Sequence, residues 1–306
     1  MTKTAFLFAG QGAQYLGMAR DLYEQYDVVK STFEEASQVL GYDVRALIDQ
    51  DEEKLNQTRY TQPAILTTSL AIYRLLAEKG IRPAMVAGLS LGEYSALVAA
   101  GALDFKTALA LVAKRGAFME EAAPAGSGKM VAVLNADVAL IEEACQTASQ
   151  LGVVSPANYN TPGQIVIGGD VAAVDKAVEL LKEAGVKRLI PLNVSGPFHT
   201  ALLKPASEKL AQVLAETEFT EFQLPLVGNT EADIMEASRI KELLTRQIIE
   251  PVRFYDSIAK MQEAGVTEFI EIGPGKVLSG FMKKIDKSAI VHSVESVETL
   301  TALLEK

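Results

Sequence analysis

Val86-Ala87-Gly88-Leu89-Ser90-Leu91-Gly92-Glu93-Tyr94 decides how the rest of the chain is read. Residues 85–87 are apolar and few, as in a buried strand, and 93–100 carry a helical pattern. Ser90 therefore falls where a strand must reverse within a couple of residues. Glycines two positions before it and two after leave room for a strained backbone. This is the sequence form of G-x-S-x-G, a turn that holds a serine hydroxyl exposed above the carboxyl edge of a parallel sheet. The N–H of the next residue, here Leu91, points at the reaction centre. A plain glycine-rich turn capping the following helix fits the same letters, so the surrounding chain has to separate the two.

Upstream, an apolar stripe through Ile65, Leu66, Ile72, Leu75 and Leu76 recurs at helical spacing and is closed by Gly80, giving a long core helix that feeds the elbow strand. Residues 4–9 form another β-type run, followed by Gly10-Gln11-Gly12. The dinucleotide spacing G-x-G-x-x-G is absent, but Gln11 lies between two glycines, where a backbone N–H can closely approach a ligand; a simple tight turn reads equally well. Asp27 and Asp43 read as helix N-caps.

Downstream, Asp104 caps a helix to about residue 122 that carries Arg115. Pro124-Ala-Gly-Ser-Gly128 is the clearest linker. After it, strands at 130–134, 153–159, 164–168 and 187–192 alternate with helices capped by Asp137 and spanning 171–184. That order, β-α-β-β-α-β, is the split ferredoxin-like motif. Val194-Ser195-Gly196-Pro197-Phe198-His199 then returns the chain to the main body. Helices at 202–216, 238–249 and 254–264, a strand at 224–227 and a last core strand at 268–272 follow. The expected fold is α/β: an α/β-hydrolase-like core with a mainly parallel sheet, formed by residues 1–126 and 195–306, and a small ferredoxin-like subdomain inserted at 127–194.

With 306 residues the chain can bury one large core plus a smaller unit, and its 49% hydrophobic and 22% charged residues are those of a globular protein. A net charge of −10 opposes nucleic-acid or anionic-membrane binding as a main role. No run reads as a signal peptide or a transmembrane span, so a cytoplasmic protein is expected. The single cysteine, Cys145, sits in a helix-like run as a packing residue and can form no internal disulfide. No His/Cys cluster has metal-ligand spacing, so metal catalysis through such a site is not expected, while a carboxylate-only site stays open; no permanently bound cofactor is expected.

An exposed serine needs a base, and the chain has two histidines, His199 and His292. His199, in a Gly-Pro loop at the domain junction, is the better candidate; His292 lies in a strand-like run, 290–294, and reads as structural. For a hydrolase triad, Asp104, Asp137, Asp170 and Asp175 fall in the interval between Ser90 and His199, yet each reads as a cap or a helix-surface residue. No third member stands out.

Gly10-Gln-Gly-Ala-Gln14, Gly88-Leu-Ser-Leu-Gly-Glu-Tyr94, Arg115, Gly196-Pro-Phe-His199, Arg246-Gln247 and Glu271-Ile-Gly-Pro-Gly275 occur in one order and spacing. In this the chain resembles, nearly end to end, the malonyl-CoA:acyl carrier protein transacylases of fatty-acid synthesis. The resemblance implies that Ser90 accepts the acyl group, that His199 is its base, and that the backbone carbonyl of Gln247 orients the histidine in place of a carboxylate. It implies an oxyanion hole from the N–H groups of Leu91 and Gln11, and Arg115 as the holder of the malonyl carboxylate. Phe198 resembles the malonyl-selective members, where a bulky ring crowds an α-methyl group. Leu89 departs from the histidine that many members carry there, which puts in doubt any contribution from that side chain. The expected partners are malonyl-CoA, a CoA thioester substrate, and acyl carrier protein, met by a monomer. A serine esterase or thioesterase and a non-catalytic carrier-protein-binding module remain the alternatives.

Overall fold

The structure is a computed structural model and describes residues 3–192, 194 and 196–305. Ser195, where the sequence places the return to the main body, lies outside them. Among the described residues there are eight strands: β1 (Thr4–Phe8), β2 (Met85–Gly88), β3 (Lys129–Leu134), β4 (Val154–Thr161), β5 (Gln164–Gly169), β6 (Arg188–Pro191), β7 (Glu268–Ile272) and β8 (Ile290–Val294). They form two four-stranded sheets, making a mixed α/β protein. One is parallel throughout, in the order β2-β1-β7-β8. The other is antiparallel, in the order β4-β5-β3-β6.

The parallel sheet is covered on both faces, and β1 shows why its residues are continuously apolar. Phe6 and Phe8 pack on one side with Val86, Ile270 and helix residues such as Ile65 and Ile72. Ala5 and Leu7 point the other way, into a core with Met85, Phe269 and Phe254. Alternation with period two thus feeds two cores rather than one core and solvent.

In the antiparallel sheet the same alternation has a functional result. Val131, Val133, Ile165 and Ile167 pack against Ile141, Val174 and Leu181 of the unit's two helices. Met130, Ala132 and Val166, on the opposite face, belong to the core of the main body and border the cavity described below.

One local expectation changes. Residues 224–227 form no strand: Leu226 bridges Val86 and Val227 bridges Ile234, singly. Pro225 has no N–H to add to a ladder and contributes only its carbonyl, to Val86 N–H at 3.0 Å. The strand-like run at 290–294 forms β8, an edge strand parallel to β7. Among the described residues no helix is long and apolar enough to cross a membrane.

Candidate active site

β2 ends at Gly88 and helix Gly92–Ala99 begins four residues later, so the chain reverses through Leu89, Ser90 and Leu91. A Cβ on Gly88 would overlap the Gly92 backbone, and one on Gly92 would overlap the Phe8 carbonyl of β1. Side chains at either position would force the elbow off the sheet. Ser90 itself stands at φ 54°, a left-handed conformation costing an L-residue roughly 1–2 kcal/mol. Hydrogen bonds hold it there. Its N–H donates to Asn229 Oδ1 at 2.7 Å, and Gln247 Nε2 donates to its carbonyl at 3.0 Å. Asn229 is fixed in turn, donating from Nδ2 to the Gly88 carbonyl and from its N–H to Glu93 Oε1, both at 2.7 Å.

His199, 4% exposed and also left-handed at φ 59°, comes in on the return segment with Nε2 2.8 Å from Ser90 Oγ. Its Nδ1 lies 2.6 Å from the main-chain carbonyl of Gln247. A carbonyl only accepts, so Nδ1 carries the proton and Nε2 is left with a lone pair facing the serine hydroxyl. Among the described residues no carboxylate is hydrogen-bonded to the ring, and the four aspartates in the interval are engaged elsewhere. Asp104 and Asp137 cap helices, Asp170 accepts from Val153 N–H and Asp175 pairs with Lys129. His292, in β8, meets Glu268 at 3.2 Å and does not line the cavity.

Arg115 reaches the same hydroxyl from helix Phe105–Ala122. At 1% exposure, it donates from Nη2 to Ser90 Oγ at 3.1 Å and to Gln247 Oε1 at 2.9 Å, and from Nη1 to Gln62 Oε1 at 2.7 Å. Its guanidinium lies over the Tyr94 ring, 5.2 Å from the centroid. Ser90 Oγ thus accepts from a cation and is free to donate to the imidazole.

Burial and, after it, the Arg115 charge push His199 from its ordinary 6.5 down to about 4, against the Gln247 carbonyl. Burial pushes the Glu93 carboxyl up to about 7, opposed by the Asn229 and Gln247 donors and by Arg115. Burial also lowers Arg115, which the neighbouring Tyr94 and Glu93 counteract.

These groups open on a cavity of about 330 Å³ between the two sheets. The parallel-sheet side contributes Gly10, Gln11, Ser90 and Arg115; Phe198 and His199 come from the return segment. Asn160 and Gln164 line it from the antiparallel unit, and their buried side-chain oxygens have no hydrogen-bond partner. Leu91 is the N-cap residue of the elbow helix, placing its N–H beside Ser90. Among the described residues no three His, Cys, Asp or Glu side chains are grouped so as to hold a metal ion.

The structure brings Ser90, His199, Gln247 and Arg115 into one hydrogen-bonded group, with Gln11, Leu91 and Phe198 at its edge. Gln62, Glu93 and Asn229 belong to that group too, and the sequence reading assigned them no role. Glu93 alone carried a signal: an acidic residue just inside an otherwise apolar helix, Gly92–Ala99, that is almost wholly buried.

Residues 5–303 match the family model described as the acyl transferase domain. The chain belongs to that family. It is 49% identical over 308 residues to the malonyl CoA-acyl carrier protein transacylase of Bacillus subtilis, covering 100% of this chain and 97% of the relative. To that of Escherichia coli it is 46% identical over 308 residues, with 100% of both chains covered. The crystal structure of MCAT from Streptococcus pneumoniae matches with a TM-score of 0.98 at 73% identity, over 99% of each chain. A malonyl-transacylase solved in complex with its type II PKS acyl-carrier protein matches at 0.96 and 47% identity, again over 99% of each.

Proposed function

We infer that this protein transfers the malonyl group of malonyl-CoA to the phosphopantetheine thiol of acyl carrier protein, as an enzyme of fatty-acid synthesis. The observation that carries this reading is Arg115 Nη2 at 3.1 Å from the same Ser90 Oγ that meets His199. A buried cation beside an activated serine selects an acyl group with a carboxylate of its own. The guanidinium presents a fork that a carboxylate can bridge in two parallel hydrogen bonds.

In the first half-reaction His199 Nε2 takes the Ser90 proton while Oγ attacks the thioester carbonyl. The N–H groups of Leu91 and Gln11 receive the oxyanion, and the C–S bond breaks as the CoA sulfur takes the proton back from His199. In the second, the carrier-protein thiol gives its proton to His199 and displaces Ser90 by the reverse steps. The main-chain carbonyl of Gln247 keeps the proton on Nδ1 throughout, and Phe198 limits room beside the malonyl methylene. The unpartnered oxygens of Asn160 and Gln164 suit the amide N–H groups of a pantetheine arm. Metal and bound cofactor have no part in this scheme.

The working unit is read as one cytoplasmic chain, since serine, base and arginine all come from it. Its parallel sheet belongs to an α/β-hydrolase-like core of residues 1–126 and 195–306. Residues 127–194 form a ferredoxin-like subdomain, a reading supported by the β-α-β-β-α-β order and by β3 and β5 lying side by side at the centre of their sheet.

Intact-mass measurement after exposure to malonyl-CoA or acetyl-CoA tests the reaction. A stable malonyl adduct is expected on the natural protein and none on Ser90→Ala. Arg115→Ala should lose malonyl adduct formation by roughly a hundredfold or more, the equivalent of one partner lost from a buried charge pair, and acetyl by far less. Release of free malonate with no thiol acceptor would identify a hydrolase instead, and no adduct at all a binding module.

A further inference from the structure

Among the described residues, Glu93 is the one acidic side chain that joins the hydrogen-bonded group around Ser90, and the reaction above makes no use of it. It lies in the first turn of helix Gly92–Ala99 at 1% exposure. Both of its oxygens are engaged: Oε1 accepts from Asn229 N–H at 2.7 Å and Oε2 accepts from Gln247 Nε2. The Arg115 guanidinium is met by amide oxygens, those of Gln62 at 2.7 Å and Gln247 at 2.9 Å.

The Gln247 amide is the link between the two charges. Its nitrogen end faces a carboxylate and its oxygen end faces a guanidinium. Turned round, it would set oxygen against oxygen and N–H against N–H. Glu93 Oε2, with the Ser90 carbonyl at 3.0 Å and Asn229 Oδ1 at 3.3 Å that also accept from Nε2, holds the amide this way round, and the amide helps set where Nη2 points, which is at Ser90 Oγ. A carboxylate bonded directly to Arg115 would occupy the fork that a substrate carboxylate needs. The Gln247 amide takes only one Nη2 hydrogen, so a substrate carboxylate can replace Ser90 Oγ on the other and use the Nη1 hydrogen that Gln62 leaves.

We propose that Glu93 is the positioning residue for recognition of the acyl carboxylate: through the Gln247 amide it orients Arg115 and balances its charge without occupying it. The proposal rests on the malonyl-transfer reading and deepens it. Glutamine at position 93 keeps the shape but has only one accepting end, so it cannot take both the Asn229 and the Gln247 donors.

The test measures kcat and KM of Glu93→Gln for malonyl-CoA and acetyl-CoA with a pantetheine thiol as acceptor. KM for malonyl-CoA should rise roughly tenfold more than KM for acetyl-CoA, and the malonyl preference should fall by that factor. Gln247→Met, which keeps the main-chain carbonyl used by His199 and removes only the amide, should lower the preference in the same direction. An unchanged preference in either variant, or equal losses for both thioesters, overturns the proposal and leaves Glu93 as support for the Ser90 turn. If the natural protein itself forms no malonyl adduct on Ser90, the malonyl-transfer reading is what fails.

Discussion

His199 acts only when its Nε2 is free of a proton, and its surroundings hold it in that form. The pKa is depressed from 6.5 to about 4, so the ring is neutral above about 4 and is lost as a base only below it. The rate of malonyl-serine formation, followed against pH, should hold steady through 6.5 and decline toward 4. An acidic limb centred at 6.5 would mean that the site is wet. Stability carries the same sign for this residue: between 6.5 and about 4 the unfolded histidine binds a proton that the folded one refuses, so its contribution falls as pH falls across that window. The approach of His199 to Ser90 was legible in the sequence because only two histidines compete and one follows a Gly-Pro turn. Gln247 was reached only through resemblance, since a main-chain carbonyl leaves no trace in residue type. Asn229 and Gln62 were not legible at all. Their polar ends matter only because distant segments bring them to Ser90 and Arg115.

Helices and strands were read with more success where the deciding interaction is local. The side chains of Asp43, Asp104 and Asp137 accept N–H groups two or three residues on, within reach of any sequence window. Asp27 misled: Tyr26 is the N-cap and Asp27 already lies inside helix Asp27–Leu40, where an acidic residue favours the first turn without capping it. The strand expected at 224–227 failed because register with β2 depends on Pro225, whose missing N–H shows only once a neighbour is known. Two alanine substitutions separate local support from tertiary contact. Asp104→Ala removes one cap and should cost about 1 kcal/mol in thermal or denaturant unfolding, with malonyl-serine formation retained. Gly92→Ala drives a Cβ into the Phe8 carbonyl, so it should cost about 1–3 kcal/mol and impair adduct formation with it. Equal behaviour of the two variants would show that close packing at Gly92 does not hold the elbow.

For the whole molecule, a net charge of −10 slows its encounter with an acidic carrier protein unless a local patch offsets it. Lys283 and Lys284 lie in the last turn of helix Val277–Ile285, two and three residues past Phe281, which with Val277 lines the cavity. Charge reversal at both should slow transfer to carrier protein roughly tenfold at low salt, with a smaller effect on a free pantetheine thiol. Equal effects on the two acceptors would reject a docking role.

The chain order of the site also sets when the protein becomes reactive as it is made. Ser90 and His199 stand 109 positions apart, and Gln247 comes 48 positions after the histidine. β1, which the elbow leans on, takes β7 as its second neighbour only after the chain has passed through the entire antiparallel unit. A nascent or truncated chain therefore exposes a serine with neither its base nor the group that orients that base. The site is therefore assembled only once the chain has been made through β7, which ends at Ile272.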